Sequence, residues 1–240
     1  MALAMKKPLW YGIFFSKFCL HRLISFLNTP RNKAYHHGYI SLQGTAMSFL
    51  LDEPTIRSRF APITPEQYRL MGESGLLQSN VELINGFILE KMPKTPLHTI
   101  TVSRLQAALL LILSQEFSLR KEEPLALVLS EPEPDIAIVY GAADNYAERH
   151  PKGAETVLVV EVALSSLALD RKKAELYANA GIPCYWLVNL NDRTVEVYTE
   201  PHGAVYSSCE VIQGDDVLLL SFGTFGTVSL PALFPSDSSV

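Results

Sequence analysis

Cysteine is scarce in this sequence of 240 residues, where only Cys19, Cys184 and Cys209 occur. The number is odd, no CxxC motif is present, and no cysteine belongs to a cluster with the spacing of zinc ligands. A disulfide-stapled scaffold and a structural zinc site are therefore excluded as explanations of the fold. The same scarcity is typical of proteins in the reducing cytoplasm, which is the location we expect.

Acidic residues are absent from positions 1–51, which hold six of the 20 basic residues. Residues 52–240 therefore carry 14 basic and 25 acidic side chains, a formal net charge of −11. A domain with this charge does not attract nucleic acid through its overall field. Any role on nucleic acid would depend on metal ions, a local basic face or a partner.

The sequence also lacks a long uninterrupted hydrophobic run. Residues 9–27 are apolar and aromatic, but Lys17, His21 and Arg22 interrupt them, whereas a membrane-spanning helix needs about 20 mainly apolar residues. No small-residue cleavage site of a signal peptide follows. We interpret residues 1–46 as an extension outside the fold, with Met47 as the start of a domain over 47–240. A weak membrane-surface anchor is the alternative, and we expect no stable membrane association.

Helix and hairpin signals begin near residue 63. Thr64 and Pro65 predict the start of a short helix, and Asn85-Gly86 between two apolar runs predicts a two-residue hairpin turn. Residues 97–117 carry apolar side chains at helical spacing and predict the longest helix.

Short runs rich in Val, Ile and Leu follow, at 125–129, 135–140 and 156–164, and they predict central strands covered on both faces. Residues 168–183 predict a helix that ends at Gly181 and Pro183. Two more strands, joined by a turn at 191–193, precede a tail of short strands over 205–234. This order predicts an α/β domain of the α+β kind, with a central mixed sheet flanked by helices.

Two carboxylates stand within these apolar strands. Asp135 opens the run DIAIVY directly after Pro134, and Glu161 lies inside LVVEVAL. Burying a carboxylate costs several kcal/mol unless a cation or hydrogen bonds compensate. Two carboxylates on neighbouring strands can bind Mg²⁺, which activates water and stabilises charge on a phosphate. The basic cluster 171–173 in the following helix could add a positive charge.

Several strings together resemble a known family. VELINGFILEKMP, SEPEPDIAIV, LVVEVALSSLALDRKKAELYANAGIPCYWLVNL and TVEVY look like the putative restriction endonuclease family, within the PD-(D/E)xK nuclease superfamily. The resemblance covers about residues 62–234, and its most specific part runs from Glu161 to Leu190. It implies a restriction-endonuclease-like fold.

The resemblance also implies a set of site residues. Asp135 and Glu161 would be the metal ligands, with the backbone carbonyl of Val162 completing the set. Glu82, in the string VELING, would be an early glutamate that faces the site. The cofactor would be Mg²⁺, with Mn²⁺ as the alternative.

The catalytic lysine stands away from its usual place. The position two residues after the glutamate is Ala163, and the resemblance implies that Lys173, on the next helix, takes the role. The stretch from Asp170 to Lys173 is one residue shorter than the usual pattern, so Lys172 is a rival. Leu164 stands where a polar residue is expected.

Simpler interpretations remain for these residues. Asp135 could cap a turn, and Glu161 could be a buried partner of Lys173 or Arg171 without any metal. His98 fits a capping or packing role better than that of a base. The same holds for other polar and aromatic positions: Ser165 or Ser166 as a helix cap, and Tyr185 and Trp186 as core or dimer-contact side chains.

The sequence therefore predicts a Mg²⁺-dependent endonuclease that hydrolyses phosphodiester bonds in DNA. Asp135, Glu161, Lys173 and Glu82 are its candidate catalytic residues. A homodimer is expected, since cutting both strands of a duplex favours two copies related by a two-fold axis. The alternative is a catalytically degenerate nuclease fold that acts as a binding or interaction module, which the acidic charge and Leu164 favour.

Overall fold

The computed structural model describes residues 54–57, 59–220, 222 and 226–235. The chain divides into two units, residues 1–60 and 61–240. In the first unit the described part contains one helical turn, α1 (Pro54–Arg57). The prediction that residues 1–46 form an extension lies outside the described residues. All the other described helices and strands belong to the second unit.

The second unit contains both helices and strands. Its helices are α2 (Pro65–Glu73), α3 (Pro96–Ile112), α4 (Leu167–Asn179) and α5 (Leu230–Leu233), with 3₁₀ turns at Ala143–Tyr146 and Gly153–Glu155. Its strands are β1 (Val81–Ile84), β2 (Phe87–Glu90), β3 (Phe117–Lys121), β4 (Ile136–Tyr140), β5 (Thr156–Ala163), β6 (Cys184–Asn189), β7 (Thr194–His202), β8 (Val205–Ile212), β9 (Val217–Leu220) and β10 (Gly226–Ser229).

Helix α2 and the hairpin β1–β2 form as predicted. The Thr64 hydroxyl accepts a hydrogen bond from the Gln67 amide, and the Gln67 side chain accepts one from the Thr64 amide, which completes a capping box. Asn85 and Gly86 have φ of 49° and 80°. Two successive left-handed residues are what a type I′ hairpin turn requires.

A six-stranded sheet in the order β3-β4-β5-β6-β7-β8 is the centre of the unit. Only β5 and β6 are parallel, and α4 connects them, while every other neighbouring pair is antiparallel. Every residue of β5 and β6 is buried. The predicted mixed sheet with flanking helices is confirmed.

Apolar side chains pack on both faces of this sheet. Val102, Leu105 and Leu109 of α3 pack on one face, together with β9, β10 and α5. Ala174, Leu176 and Tyr177 of α4 pack on the other. Because side chains alternate between the faces of a strand, Glu161 of β5 lies on the α4 side with Val159 and Ala163.

Three predicted elements need correction. The tail predicted as short strands over 205–234 forms strands β8 to β10 but ends in helix α5 (Leu230–Leu233). The helix predicted over 97–117 ends at Ile112, and Phe117 starts strand β3, which pairs with β4. The periodicity could not show this end, because the sequence from 109 to 113 is continuously apolar and no Gly or Pro interrupts it.

The strand predicted over 125–129 does not form either. Leu125 and Leu127 are buried, but Val128 is 88% exposed. The amide of Leu125 donates to the carbonyl of Pro132, and that of Ala126 to Pro151, rather than to a sheet neighbour. The apolar run therefore fills the core from a loop. In the described part of the chain, no helix is long and apolar enough to cross a membrane.

Replacing Gly86 by alanine should destabilise the fold more than replacing Gly203, although both glycines have a positive φ. A Cβ at Gly86 would lie 2.3 Å from Cβ of Pro62, while one at Gly203 would meet nothing within 4 Å. Both Gly→Ala variants lose about 1 kcal/mol to backbone strain. We expect Gly86→Ala to lose at least about 2 kcal/mol more, because overpacking against a fixed backbone adds to the strain. Chemical denaturation measures both, and equal losses would contradict the packing argument.

Candidate active site

A cleft opens where β4 begins and β5 ends. Its volume is about 100 Å³, well below the roughly 300–1,000 Å³ of pockets that enclose whole small molecules. Glu82, Asp135, Glu161 and Lys173 all line it. The structure thus brings the four candidate residues together, at a scale that suits an ion with its waters and one reacting group.

Strand register places the two predicted metal ligands side by side. Ile136 of β4 pairs with Val160 of β5 in antiparallel register, so Asp135, one residue before β4, stands opposite Glu161. The Oδ2 atom of Asp135 accepts hydrogen bonds from the Val162 amide, at 2.8 Å, and from Nε2 of His98, at 3.1 Å. Asp135 therefore caps the open end of the β4–β5 ladder.

Lys173 is enclosed by three carboxylates. Its Nζ lies 2.8 Å from Glu82, 3.0 Å from Glu161 and 3.8 Å from Asp170, and its side chain is 7% exposed. Helix α4 presents it to the sheet from the covered face of β5. The second oxygen of Glu82 accepts a hydrogen bond from the Glu133 amide at 3.2 Å. The lysine therefore links the hairpin, β5 and α4.

Burial dominates the protonation of this cluster. It raises the pKa of Glu161 to about 8, against the opposing effect of Lys173, while Asp170, Asp135 and Glu82 raise it further. Burial alone would lower the pKa of Lys173, but Glu161 and Glu82 raise it above its usual range. Lys173 therefore stays protonated. The Tyr177 hydroxyl donates to Oε1 of Glu161 at 2.8 Å, and its pKa is raised by burial, so it keeps its proton.

Each of the two central carboxylates uses one oxygen within the protein. Oδ2 of Asp135 and Oε1 of Glu161 accept the hydrogen bonds above. Within residues 59–220, no hydrogen bond engages the other oxygen of either side chain. Two carboxylate oxygens on neighbouring strands are thus available to a ligand.

The Val162 carbonyl is oriented toward the same gap. Its amide points at Asp135, and the amide and carbonyl of one strand residue face the same side. The next residue confirms this alternation, since the Ala163 carbonyl accepts from Leu190 on the β6 side.

The donor set fits a hard divalent cation. Mg²⁺ takes oxygen ligands, is typically held by one or two carboxylates and keeps several waters. Among the described residues, no three His, Cys, Asp or Glu side chains form a complete cage for a metal. A cation here would therefore rest on Asp135, Glu161 and the Val162 carbonyl, with water supplying the rest.

The structure separates the two rival lysines. Lys172 is exposed and pairs with Glu175 at 2.8 Å on the outer surface of α4, while Lys173 lies in the cleft. Arg171 pairs with Glu196 at 2.5 Å rather than with Glu161. Leu164, which stands at a position where a polar residue is expected, also lines the cleft.

Burial and contacts decide between the alternatives for three further residues. Tyr185 and Trp186 are fully buried core side chains and are not available to a partner. Ser166 occupies the cap position of α4, but its hydroxyl donates to Asp170 at 2.5 Å instead of capping the helix.

His98 is the site residue that the sequence argument missed. The sequence favours a capping or packing role for it, but the helix cap is Thr95, whose hydroxyl accepts from the His98 amide at 3.2 Å. The ring Nε2 of His98 instead lies 3.1 Å from Oδ2 of Asp135. The sequence did contain one indication of this contact: His98 lies in the first turn of α3, and α3 covers the sheet that contains β4, the strand that follows Asp135. Helix periodicity alone does not show which strand that is.

The chain is similar to known proteins in both sequence and fold. A family model described as "Putative restriction endonuclease" matches residues 65–230. The fold is similar to the crystal structure of a putative nuclease from Anabaena variabilis, with a TM-score of 0.56 and 20% sequence identity. That match covers 72% of this chain and 98% of the other. No curated protein matches the sequence.

Glu161 should make the metal-free protein less stable as the pH rises. Because its pKa is about 8 in the fold and near 4.5 as a free side chain, the folded state binds an extra proton between these values. The free energy of unfolding should fall across this window, by up to about 1.4 kcal/mol per pH unit, and level off above it. Glu161→Gln should flatten the slope and the exposed Glu175→Gln should not. Denaturation in EDTA at several pH values measures this, and equal slopes in all three proteins would contradict it.

Proposed function

The chain belongs to the putative restriction endonuclease family, and from this premise we propose that it is a Mg²⁺-dependent nuclease that hydrolyses phosphodiester bonds in DNA. Asp135, Glu161 and the Val162 carbonyl would hold the ion, with Mn²⁺ as the alternative metal. One observation carries the proposal. Two neighbouring carboxylates each keep one oxygen free toward a cleft that also contains a buried, protonated lysine.

The roles of the residues follow from their contacts. When bound, Mg²⁺ would supply a water of lowered pKa and stabilise charge on the phosphate. Lys173 stays protonated and so acts as a fixed positive charge beside the developing phosphate anion rather than as a base. Glu82 and Asp170 hold Lys173 in place. His98 and the Val162 amide fix one oxygen of Asp135, and Tyr177 fixes one oxygen of Glu161.

We further propose that the nuclease works as a homodimer in the cytoplasm. A two-fold pair would place two clefts on the two strands of a duplex. The exposed free thiol of Cys209 is compatible with a reducing compartment.

A degenerate nuclease fold that acts as an interaction module is the second candidate. The ion pair of Lys173 with Glu161 and Glu82 favours it, because buried carboxylates already satisfied by a lysine can be stable without metal. The apolar side chain of Leu164 in the cleft also favours the interaction module.

Plasmid cleavage separates the two candidates. We expect the full-length chain to nick supercoiled DNA with Mg²⁺ or Mn²⁺ and not with EDTA. Asp135→Asn and Glu161→Gln should each reduce the rate by at least about 100-fold, because each removes a ligand charge that the reaction requires. Lys172→Gln, on the outer surface, should cleave like the wild type. A single-stranded substrate tests strandedness in parallel. No cleavage by the folded protein with either metal would reject the nuclease.

Metal binding can be measured without turnover. Mg²⁺ or Mn²⁺ should raise the melting temperature of the wild type, since a ligand of the folded state stabilises it, and the shift should vanish in Glu161→Gln. His98→Ala should weaken metal binding roughly 10–100-fold, because residues that orient a metal ligand have effects of this size. The exposed His202→Ala is the control. A wild type that no divalent metal stabilises would favour the interaction module.

A further inference from the structure

The cleft contains three lysines among its described lining residues: Lys91, Lys94 and Lys173. Lys173 is buried among carboxylates that hold it in place. Lys91 and Lys94 are different, because their side chains are 23% and 43% exposed. They stand on the segment 91–95, between β2 and α3.

Each of these two lysines is paired with a glutamate that also lines the cleft. Lys91 pairs with Glu133, and Lys94 pairs with Glu122 at 2.6 Å. Both glutamates are themselves part exposed, at 24% and 34%. Because the four side chains are more exposed than Lys173 and Glu161, the two pairs lie on the rim of the cleft. We call them the rim pairs.

The glutamates of the rim pairs are connected to Asp135, one by its position in the chain and the other by a hydrogen bond. Glu133 precedes Asp135 by two residues, and the Glu122 amide donates to the Asp135 carbonyl at 3.2 Å. Lys94 directly precedes Thr95, which caps the helix turn that carries His98. All four side chains of the rim pairs line the same cleft as Asp135, so a strand whose phosphate reaches Asp135 would lie beside them.

We propose that Lys91 and Lys94 form a binding site for a nucleic-acid phosphodiester backbone, and that each lysine exchanges its glutamate for a phosphate oxygen when the strand binds. This inference rests on the proposed function and deepens it. A part-exposed ion pair is weak because water and salt compete for both charges, so exchange of the partner is easy. Lysine is a normal phosphate ligand.

The inference also explains how an acidic domain can bind a polyanion. Residues 52–240 have a net charge of −11, so their overall field does not attract nucleic acid. Two lysines beside the cleft supply local contacts, and the glutamates neutralise them until a phosphate replaces the carboxylate. Glu122 and Glu133 thereby weaken binding to the backbone.

The test is binding of labelled DNA to the full-length chain in EDTA, measured by fluorescence anisotropy over a range of salt. The double variant Lys91→Gln/Lys94→Gln should bind at least about tenfold more weakly at low salt. Its slope of log affinity against log salt should fall by about 2, one for each lost phosphate contact. Lys91→Arg/Lys94→Arg should restore binding, because it keeps both charges. Lys172→Gln is the matched control for loss of an exposed, ion-paired lysine.

Variants of the two rim glutamates should change the affinity for DNA in the opposite direction. Glu122→Gln/Glu133→Gln frees both lysines and should bind more tightly than the wild type. The single variant Glu175→Gln, which frees Lys172 on the outer surface, measures the general effect of removing a negative charge. The gain in log affinity of Glu122→Gln/Glu133→Gln should be more than twice the gain that Glu175→Gln shows. Duplex DNA, single-stranded DNA and RNA of one sequence identify which backbone is preferred.

Three results would overturn the inference: lysine variants that bind like Lys172→Gln, rim-glutamate variants that bind more weakly than the wild type, or a folded wild type that binds none of the three nucleic acids at low salt. Thermal melting of each variant confirms that it is folded. Cleavage is not needed for this measurement. A chain that binds through the rim lysines but never cuts would reject the proposed nuclease and retain the backbone site.

Discussion

A single buried positive charge, the ammonium of Lys173, holds the centre of this protein together. It is paired at 2.8 and 3.0 Å with Glu82 and Glu161, which come from the hairpin and from the central strand β5. Neither carboxylate could remain charged and buried alone, because the desolvation cost would exceed any packing gain. The position of the hairpin, the direction of α4 and the shape of the cleft are therefore coupled through one side chain.

This arrangement leaves the site balanced between two states. With Lys173 and Tyr177 as its partners, burial keeps the pKa of Glu161 near 8, so the metal-free site favours a protonated Glu161. A divalent cation would compete with that proton and favour the ionised form. The same residues therefore suit both a metal-dependent nuclease and a metal-free structural cluster.

Charge is organised in layers from the cleft outward. The buried centre contains more carboxylates than lysines, the rim pairs are neutral, and the domain as a whole is acidic. A polyanionic substrate gains attraction only from groups that change partner when it arrives. Binding in such a protein would be local and salt-sensitive rather than guided from a distance.

The sequence by itself determined the fold class, the hairpin at Asn85-Gly86, the α4 helix with its end at Gly181, and the choice of Asp135 and Glu161 as the unusual carboxylates. These follow from local rules, since turn conformations, helix caps and the cost of burying charge are properties of a few neighbouring residues. Tertiary structure alone decided where α3 ends, why residues 125–129 form no strand, that Lys173 rather than Lys172 faces the cleft, and that His98 binds Asp135. Each of these depends on a contact between distant segments, and a short stretch of sequence does not show which segments will meet.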